Sequence, residues 1–232
     1  MINKVHDPEP LHAFYRTAEP FPHIVVDDFL VPRFADEIAT ELEQCDIGPW
    51  FRDDHTQQVS KRWMDDPNRL PWMTGIALRH MNSPATCEFM SRLTGIDELQ
   101  PDPTYLGGGV HVTLRGGSLG VHSDFNLHPD SGMHRRVNAL LFLNRNWDPS
   151  WSGQLELWSK DLERPSVVVN PDFNRLVVFT ITDDAFHGVP KPVECPPNRR
   201  RFSLALYYYT ADRPELEKAP FHWASWQRVN VT

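Results

Sequence analysis

From residue 105 to residue 209 the chain is a succession of short apolar, β-branched runs separated by turn residues, with no helical period between them. Strand candidates fall at 109–115, 119–125, 136–143, 154–159, 166–169, 175–181 and 201–209. Strands in this number, uninterrupted by helices, argue against a βαβ arrangement. They predict a mainly β fold with flanking helices, built on a double-stranded β-helix (jelly-roll) core. The first hundred residues have another texture. Residues 21–30 hold a β-branched run that reads as a strand. Pro32 opens a helix in which Phe34, Ile38 and Leu42 recur at four-residue spacing. Ser83-Pro84 starts a second helix, with Cys87, Met90 and Leu93 on one face. Residues 1–20 read as a polar arm laid on the surface, and 46–72 as a loop-rich segment with one short strand near 57–63. The expected organisation is one domain over 1–232: N-terminal support at 1–104, the jelly-roll at 105–210 and a tail at 211–232.

Charge narrows the partners. The formal net charge is −8, and no basic run exceeds Arg199-Arg200-Arg201. This argues against binding to nucleic acid or to an anionic membrane. The three cysteines, Cys45, Cys87 and Cys195, stand far apart without a CxxC spacing, which predicts free thiols in a reducing compartment. The first residues lack the apolar run of a signal peptide, and no apolar run reaches the length of a membrane span. The expected localisation is cytoplasmic.

The chemistry concentrates in the strand candidate at 119–125. His122 and Asp124 stand two apart, so on a strand both side chains leave the same face. Such a pair supplies two of the three ligands of a 2-His-1-carboxylate facial triad, which leaves open positions on a non-haem Fe(II). A third ligand is expected downstream of an apolar strand. His187 follows the run 176–181 and precedes Gly188-Val189-Pro190, which predicts a ring at the barrel mouth. Next comes a strand whose parity places Arg201, Ser203, Ala205 and Tyr207 on one face, with Phe202, Leu204, Leu206 and Tyr208 on the other. A guanidinium and a hydroxyl stacked along one face suit the carboxylate of a co-substrate. Asn138 points opposite to Val137 and Ala139 and is a candidate to line the barrel beside that co-substrate. His128 and His134, in the loop after the His-x-Asp pair, are candidates to contact substrate, as is Trp158. His111 is read as a core or supporting residue.

The ordered set His122-x-Asp124, His187 and Arg201-x-Ser203 resembles the signature of the Fe(II)/2-oxoglutarate-dependent dioxygenases. The runs 122–125, 135–147, 153–158 and 175–209 resemble the prolyl 4-hydroxylase-like branch. The resemblance implies that His122, Asp124 and His187 hold Fe(2+) and that 2-oxoglutarate, a co-substrate with O2, meets Arg201 and Ser203 through its distal carboxylate. It implies hydroxylation of an unactivated C–H bond, with succinate and CO2 released. Asp124 favours hydroxylation over halogenation, because related halogenases lack the carboxylate. The chain departs from the branch at the anchor, which in prolyl 4-hydroxylases is usually a lysine closer to the distal histidine. Here it is Arg201, fourteen residues after His187.

The expected substrate is a small molecule, a free amino acid or a natural-product intermediate. The alternative is a prolyl or other residue in a protein. A non-catalytic jelly-roll binding or sensor protein, or a cupin-type metalloenzyme indifferent to 2-oxoglutarate, is the reading from another class. Residues 46–72 and 221–226 are candidates for a lid or for the contact of a homodimer.

Overall fold

The structure, a computed structural model, describes residues 1–230. Its first part alternates helices and short strands: α1 (Pro8–Thr17), β1 (His23–Val26), α2 (Pro32–Gln44), β2 (Gln58–Met64), α3 (Trp72–Met81), α4 (Pro84–Thr94) and β3 (Gln100–Pro101). The remainder is β4 (Gly109–Ser123), β5 (His134–Phe142), β6 (Leu155–Trp158), β7 (Pro165–Val169), β8 (Arg175–Thr180), β9 (Phe186–Val189), β10 (Arg201–Thr210) and β11 (Ser225–Trp226). The strands pair antiparallel in the order β1-β8-β5-β10-β4-β9-β6-β7, with β2 and β11 added to β4 and β3 to β10. This is the curled, mainly β architecture of a double-stranded β-helix.

One strand shapes the barrel. β4 runs unbroken where two strands were expected. Its first half pairs with β10, from Gly109↔Ala205 to Thr113↔Arg201, and its second half pairs with β9 at Leu119↔Val189 and His122↔His187. The bend between the halves lies at Gly116, whose φ is +79°, and Gly117, where an added Cβ would stand 2.6 Å from Thr113 Cγ2. Only glycine fits that approach. β4 therefore carries residues from one wall of the barrel to the other.

Strand parity sorts the two faces. On β10, Phe202, Leu204, Leu206 and Tyr208 join the core built with the helices, while Arg201, Ser203 and Tyr207 face inward. On β5, Val137, Ala139 and Leu141 pack outward; Asn138, Leu140 and Phe142 line the interior. Ile38, Ala39 and Leu42 of α2, and Met90 and Leu93 of α4, cover the outer face. Each fully buried leucine or isoleucine there contributes about 1.5–3 kcal/mol, so the helices are structural supports for the sheet.

Two helices were not legible as such. The segment expected as a surface arm forms α1: the Asp7 side chain caps Glu9 N, Pro8 occupies the first turn, and Tyr15 is buried with its hydroxyl 2.6 Å from Thr180 Oγ1. The other is α3, which begins at Trp72, a residue that is 74% exposed. Its first turn has no cap of its own. Instead Glu41 of α2 accepts from Met73 N and Thr74 N, each at 2.8 Å. A cap supplied from thirty residues upstream leaves no local signal.

The three cysteines are free thiols. Among the described residues, no helix is long and apolar enough to cross a membrane.

Candidate metal and co-substrate site

β4 and β9 bring two histidines together. His122 lies opposite His187 in the register, and their ring centroids are 4.6 Å apart. His187 stands inside β9, between β4 and β6, and Gly188 and Val189 after it continue the strand. Gly188 permits this close pairing, since a Cβ there would meet Gly120 O at 2.8 Å. β4 ends at Ser123, so Asp124 sits just beyond the strand. Its carboxylate still converges on the pair: His122 Nε2 is 3.6 Å from Asp124 Oδ1, and His187 Nε2 is 3.4 Å from Asp124 Oδ2.

The donor set fits a divalent transition metal. The ligand atoms of His122, Asp124 and His187 all lie within 4.8 Å of one another. Each ring has its Nδ1 at 2.9 Å from a backbone carbonyl, Gly120 O for His122 and Ala185 O for His187. This puts the proton on Nδ1 and leaves the Nε2 lone pairs aimed at a common point. Burial pushes His187 down to about 4, against the attraction of Asp124, which keeps the ring neutral and ready to ligate. Two imidazoles and one carboxylate on one side of a point are the ligands that non-haem Fe(II) takes with positions to spare.

The carboxylate is held from beneath. Asp124 Oδ2 accepts from Arg135 at 2.9 Å and from Asn138 Nδ2 at 2.7 Å, and Arg135 also donates to Asn138 Oδ1. Burial opposes the charge on Asp124, but Arg135, His187 and His122 together outweigh it and keep the carboxyl well below its usual range. The Arg135 guanidinium is itself clasped between rings, 3.4 Å from the Tyr207 centroid and 4.4 Å from that of Phe125.

A cavity of about 490 Å³ opens above these groups and extends along the barrel to Arg201 and Ser203. Arg201 is buried; its Nε donates to Gly153 O at 2.6 Å and its guanidinium lies 4.9 Å from the Phe142 ring. Among the described residues no carboxylate stands within 4 Å of it, and burial pushes it down to about 10. It is a cation awaiting an anion. Arg199 and Arg200 donate to the carbonyls of Arg145 and Cys45, away from the cavity.

The other sequence candidates fall elsewhere. Asn138 reaches the interior as expected, but its amide is engaged with Asp124 and Arg135. His128 is buried beside Asp102, with Nδ1 accepting from the backbone of Asp130 and Ser131. His134 faces Asp212. Trp158 is 1% exposed, packs with Val121 and Phe186, and donates to Glu156 Oε2. None of these last three lines the cavity.

Conversely, Lys61 and Arg135 line it without having been singled out. Alternation along β5 would place Arg135 with Val137, facing out. A bulge in β5 at Arg136, which falls between the pairs Tyr208↔Val137 and Tyr209↔Arg135, shifts the register and turns Arg135 inward beside Asn138. Lys61 lies on an edge strand, where lysine ordinarily reads as solvated. The tail also contributes. β11 pairs with the end of β4, Ser225↔Ser123 and Trp226↔His122, and the Trp226 ring lies 4.8 Å from that of His122.

Residues 108–209 match the family model described as the 2OG-Fe(II) oxygenase superfamily. The chain is 24% identical over 210 residues to prolyl 3-hydroxylase OGFOD1 of Mus musculus, covering 88% of this chain and 35% of that protein. It thus spans about a third of the length of that relative. Among solved structures it is similar to a prolyl hydroxylase from Trichoplax adhaerens in complex with a hypoxia inducible factor peptide fragment. That match has a TM-score of 0.59 and 22% identity, covering 87% of this chain and 90% of the other. It is equally similar to the epimerase SnoN in complex with Fe3+, alpha ketoglutarate and nogalamycin RO. There the TM-score is 0.59 at 12% identity, covering 96% of this chain and 97% of the other. At these identities the two structures establish a shared fold.

Proposed function

Residues 108–209 belong to the 2OG-Fe(II) oxygenase superfamily, and on that premise we propose that the protein hydroxylates an unactivated C–H bond of a small molecule at a centre held by His122, Asp124 and His187. The protein is a 2-oxoglutarate-dependent dioxygenase that uses Fe(II). With both bound, the centre couples decarboxylation of 2-oxoglutarate by O2, giving succinate and CO2, to delivery of one oxygen atom to the substrate. The chain's own part is positioning. Arg135 and Asn138 fix the carboxylate of Asp124, the carbonyls of Gly120 and Ala185 orient the two imidazoles, and Arg201 with Ser203 receives the distal carboxylate of 2-oxoglutarate. We read residues 1–232 as one catalytic unit, with the helices of the first hundred residues bracing the barrel.

The observation that carries the small-molecule reading is the seat of the tail. Asn126 donates to Pro220 O at 2.9 Å and accepts from His222 N at 3.1 Å, and Gln227 N donates to Val121 O at 2.8 Å. Together with β11 these bonds fill the edge of β4 beside His122. An extended peptide would otherwise add there as a strand. What is left is a cavity within the size range of small-molecule sites, walled by Trp226 and rimmed by Trp223, Asp53 and Gln58. A free amino acid or a natural-product intermediate suits it.

The second reading, a prolyl residue in a protein, draws on the names of the mouse and Trichoplax relatives. One experiment separates the two. The protein is supplied with Fe(II), 2-oxoglutarate and O2, and succinate release and oxygenated product are followed across amino acids, natural-product intermediates and prolyl peptides. Substrate-dependent succinate with a small molecule, and a Trp226→Ala variant that makes less product per succinate, support the proposal. Turnover confined to prolyl peptides would transfer it to the second reading.

A further inference from the structure

Arg201 is not the only cation in the cavity. Lys61 of β2 pairs with Thr113 of β4, and Thr113 pairs on its other side with Arg201 of β10. Lys61, Thr113 and Arg201 therefore form one rank across three strands, and all three line the cavity. At the usual strand spacing, the Cα atoms of the two cations stand about 10 Å apart. Both side chains are long enough to close on a small anion over the short Thr113 between them.

Neither cation has a carboxylate of the described protein as its counter-ion. Among the described residues, no carboxylate comes within 4 Å of Lys61 or Arg201, and the Lys61 ammonium makes no hydrogen bond. The nearest acid of the metal site, Asp124, already accepts from Arg135 and Asn138. His111, on the cavity wall in the next rank, turns its Nε2 to Gly107 O at 3.0 Å and stays neutral. Burial pushes the Lys61 ammonium down to about 8, with Asp124 attracting it and Arg201 repelling it. Two partly desolvated cations without counter-ions are costly unless an anion enters with them.

We propose that Lys61 is a second cationic contact for the 2-oxoglutarate dianion, supplied from the strand next to β4 and acting together with Arg201. The inference rests on the reading of Fe(II) and 2-oxoglutarate given above. It adds a binding group remote in sequence from the Arg201-x-Ser203 pair. Lys61 enters the cavity where the register of β2 on β4 shifts, from Val59↔Ser118 to Lys61↔Thr113, with Ser60 at a φ of +48°.

The test is calorimetric titration of 2-oxoglutarate into the protein loaded with Fe(II) under anaerobic conditions, using wild type, Lys61→Met and Lys61→Arg. Loss of one charge-assisted contact predicts affinity about 10-fold or more weaker for Lys61→Met. Lys61→Arg is expected within about threefold of wild type, since it keeps the charge. Fe(II) stoichiometry and Tm, measured on each variant, identify any loss that comes from misfolding; should Lys61→Met not fold, Lys61→Gln takes its place. Wild-type binding with an unchanged affinity in the Met or Gln variant would overturn the inference alone and assign Lys61 to something other than the co-substrate. A wild-type protein that takes up Fe(II) but no 2-oxoglutarate would overturn the reading on which it rests.

Discussion

Arg135 donates to Asp124 Oδ2 at 2.9 Å from the floor of the barrel, leaving Oδ1 on the side of His122. The carboxylate is thereby oriented before any metal arrives. Removing the guanidinium in Arg135→Met should leave Asp124 Oδ2 with Asn138 as its remaining hydrogen-bond donor, loosen the carboxylate and lower Fe(II) affinity about 10- to 100-fold. Asn138→Ala should produce a similar loss through the same oxygen. Competition against a chromophoric chelator measures both. Affinities equal to wild type would show that Asp124 does not need this support.

Arg201 offers its outer edge to the cavity while Nε is held by Gly153 O. Arg201→Met should raise the KM for 2-oxoglutarate about 10- to 100-fold, the loss expected for charge-assisted hydrogen bonds. At saturating 2-oxoglutarate kcat should change far less, because Arg201 is remote from the metal ligands along the barrel. Steady-state kinetics at varied co-substrate reads the split. A loss confined to kcat would place Arg201 outside the binding role.

At the edge of the sheet, Arg175 of β8 grips Asp27, just past β1, through two hydrogen bonds of 2.5 and 2.9 Å. The Arg175 hydrogen bond lowers the Asp27 pKa below its ordinary value. A carboxyl depressed in the folded state adds stability above its unfolded value, about 4, and loses it as pH falls through that value towards the folded one. Asp27 is largely exposed, so Asp27→Asn should cost about 0.2–1 kcal/mol, or up to about 4 °C in Tm, at neutral pH. The difference between variant and wild type should shrink as the solution is taken below pH of about 4. Thermal unfolding across pH tests this, and a gap that widens in acid would contradict it.

How much of this was legible in the sequence follows from how local each signal is. The parity of β10, which separates Arg201 and Ser203 from Phe202 and Leu204, is carried by consecutive residues and appears unchanged in the barrel. The helices begun by Pro32 and Pro84 carry their own start signals and periodicity. Features that depend on a distant partner were not legible. α3 borrows its cap from Glu41. Arg135 faces inward because of a bulge set against β10. Lys61 gains its meaning only when Thr113 places it in rank with Arg201. His128 and His134 were singled out by residue type and nearness in sequence to the His-x-Asp pair, and Trp158 as an aromatic residue at the end of a strand, yet each is engaged outside the cavity.

The central claim is that His122, Asp124 and His187 hold the iron on which 2-oxoglutarate docks. The most direct measurement is an anaerobic titration of the metal-free protein with Fe(II) and then 2-oxoglutarate, watching for the visible charge-transfer band of the chelate. The account predicts that the band appears in wild type and is lost in His187→Ala at the same Fe(II) concentration. A band that persists undiminished in His187→Ala, or iron uptake by wild type without any band, would contradict it.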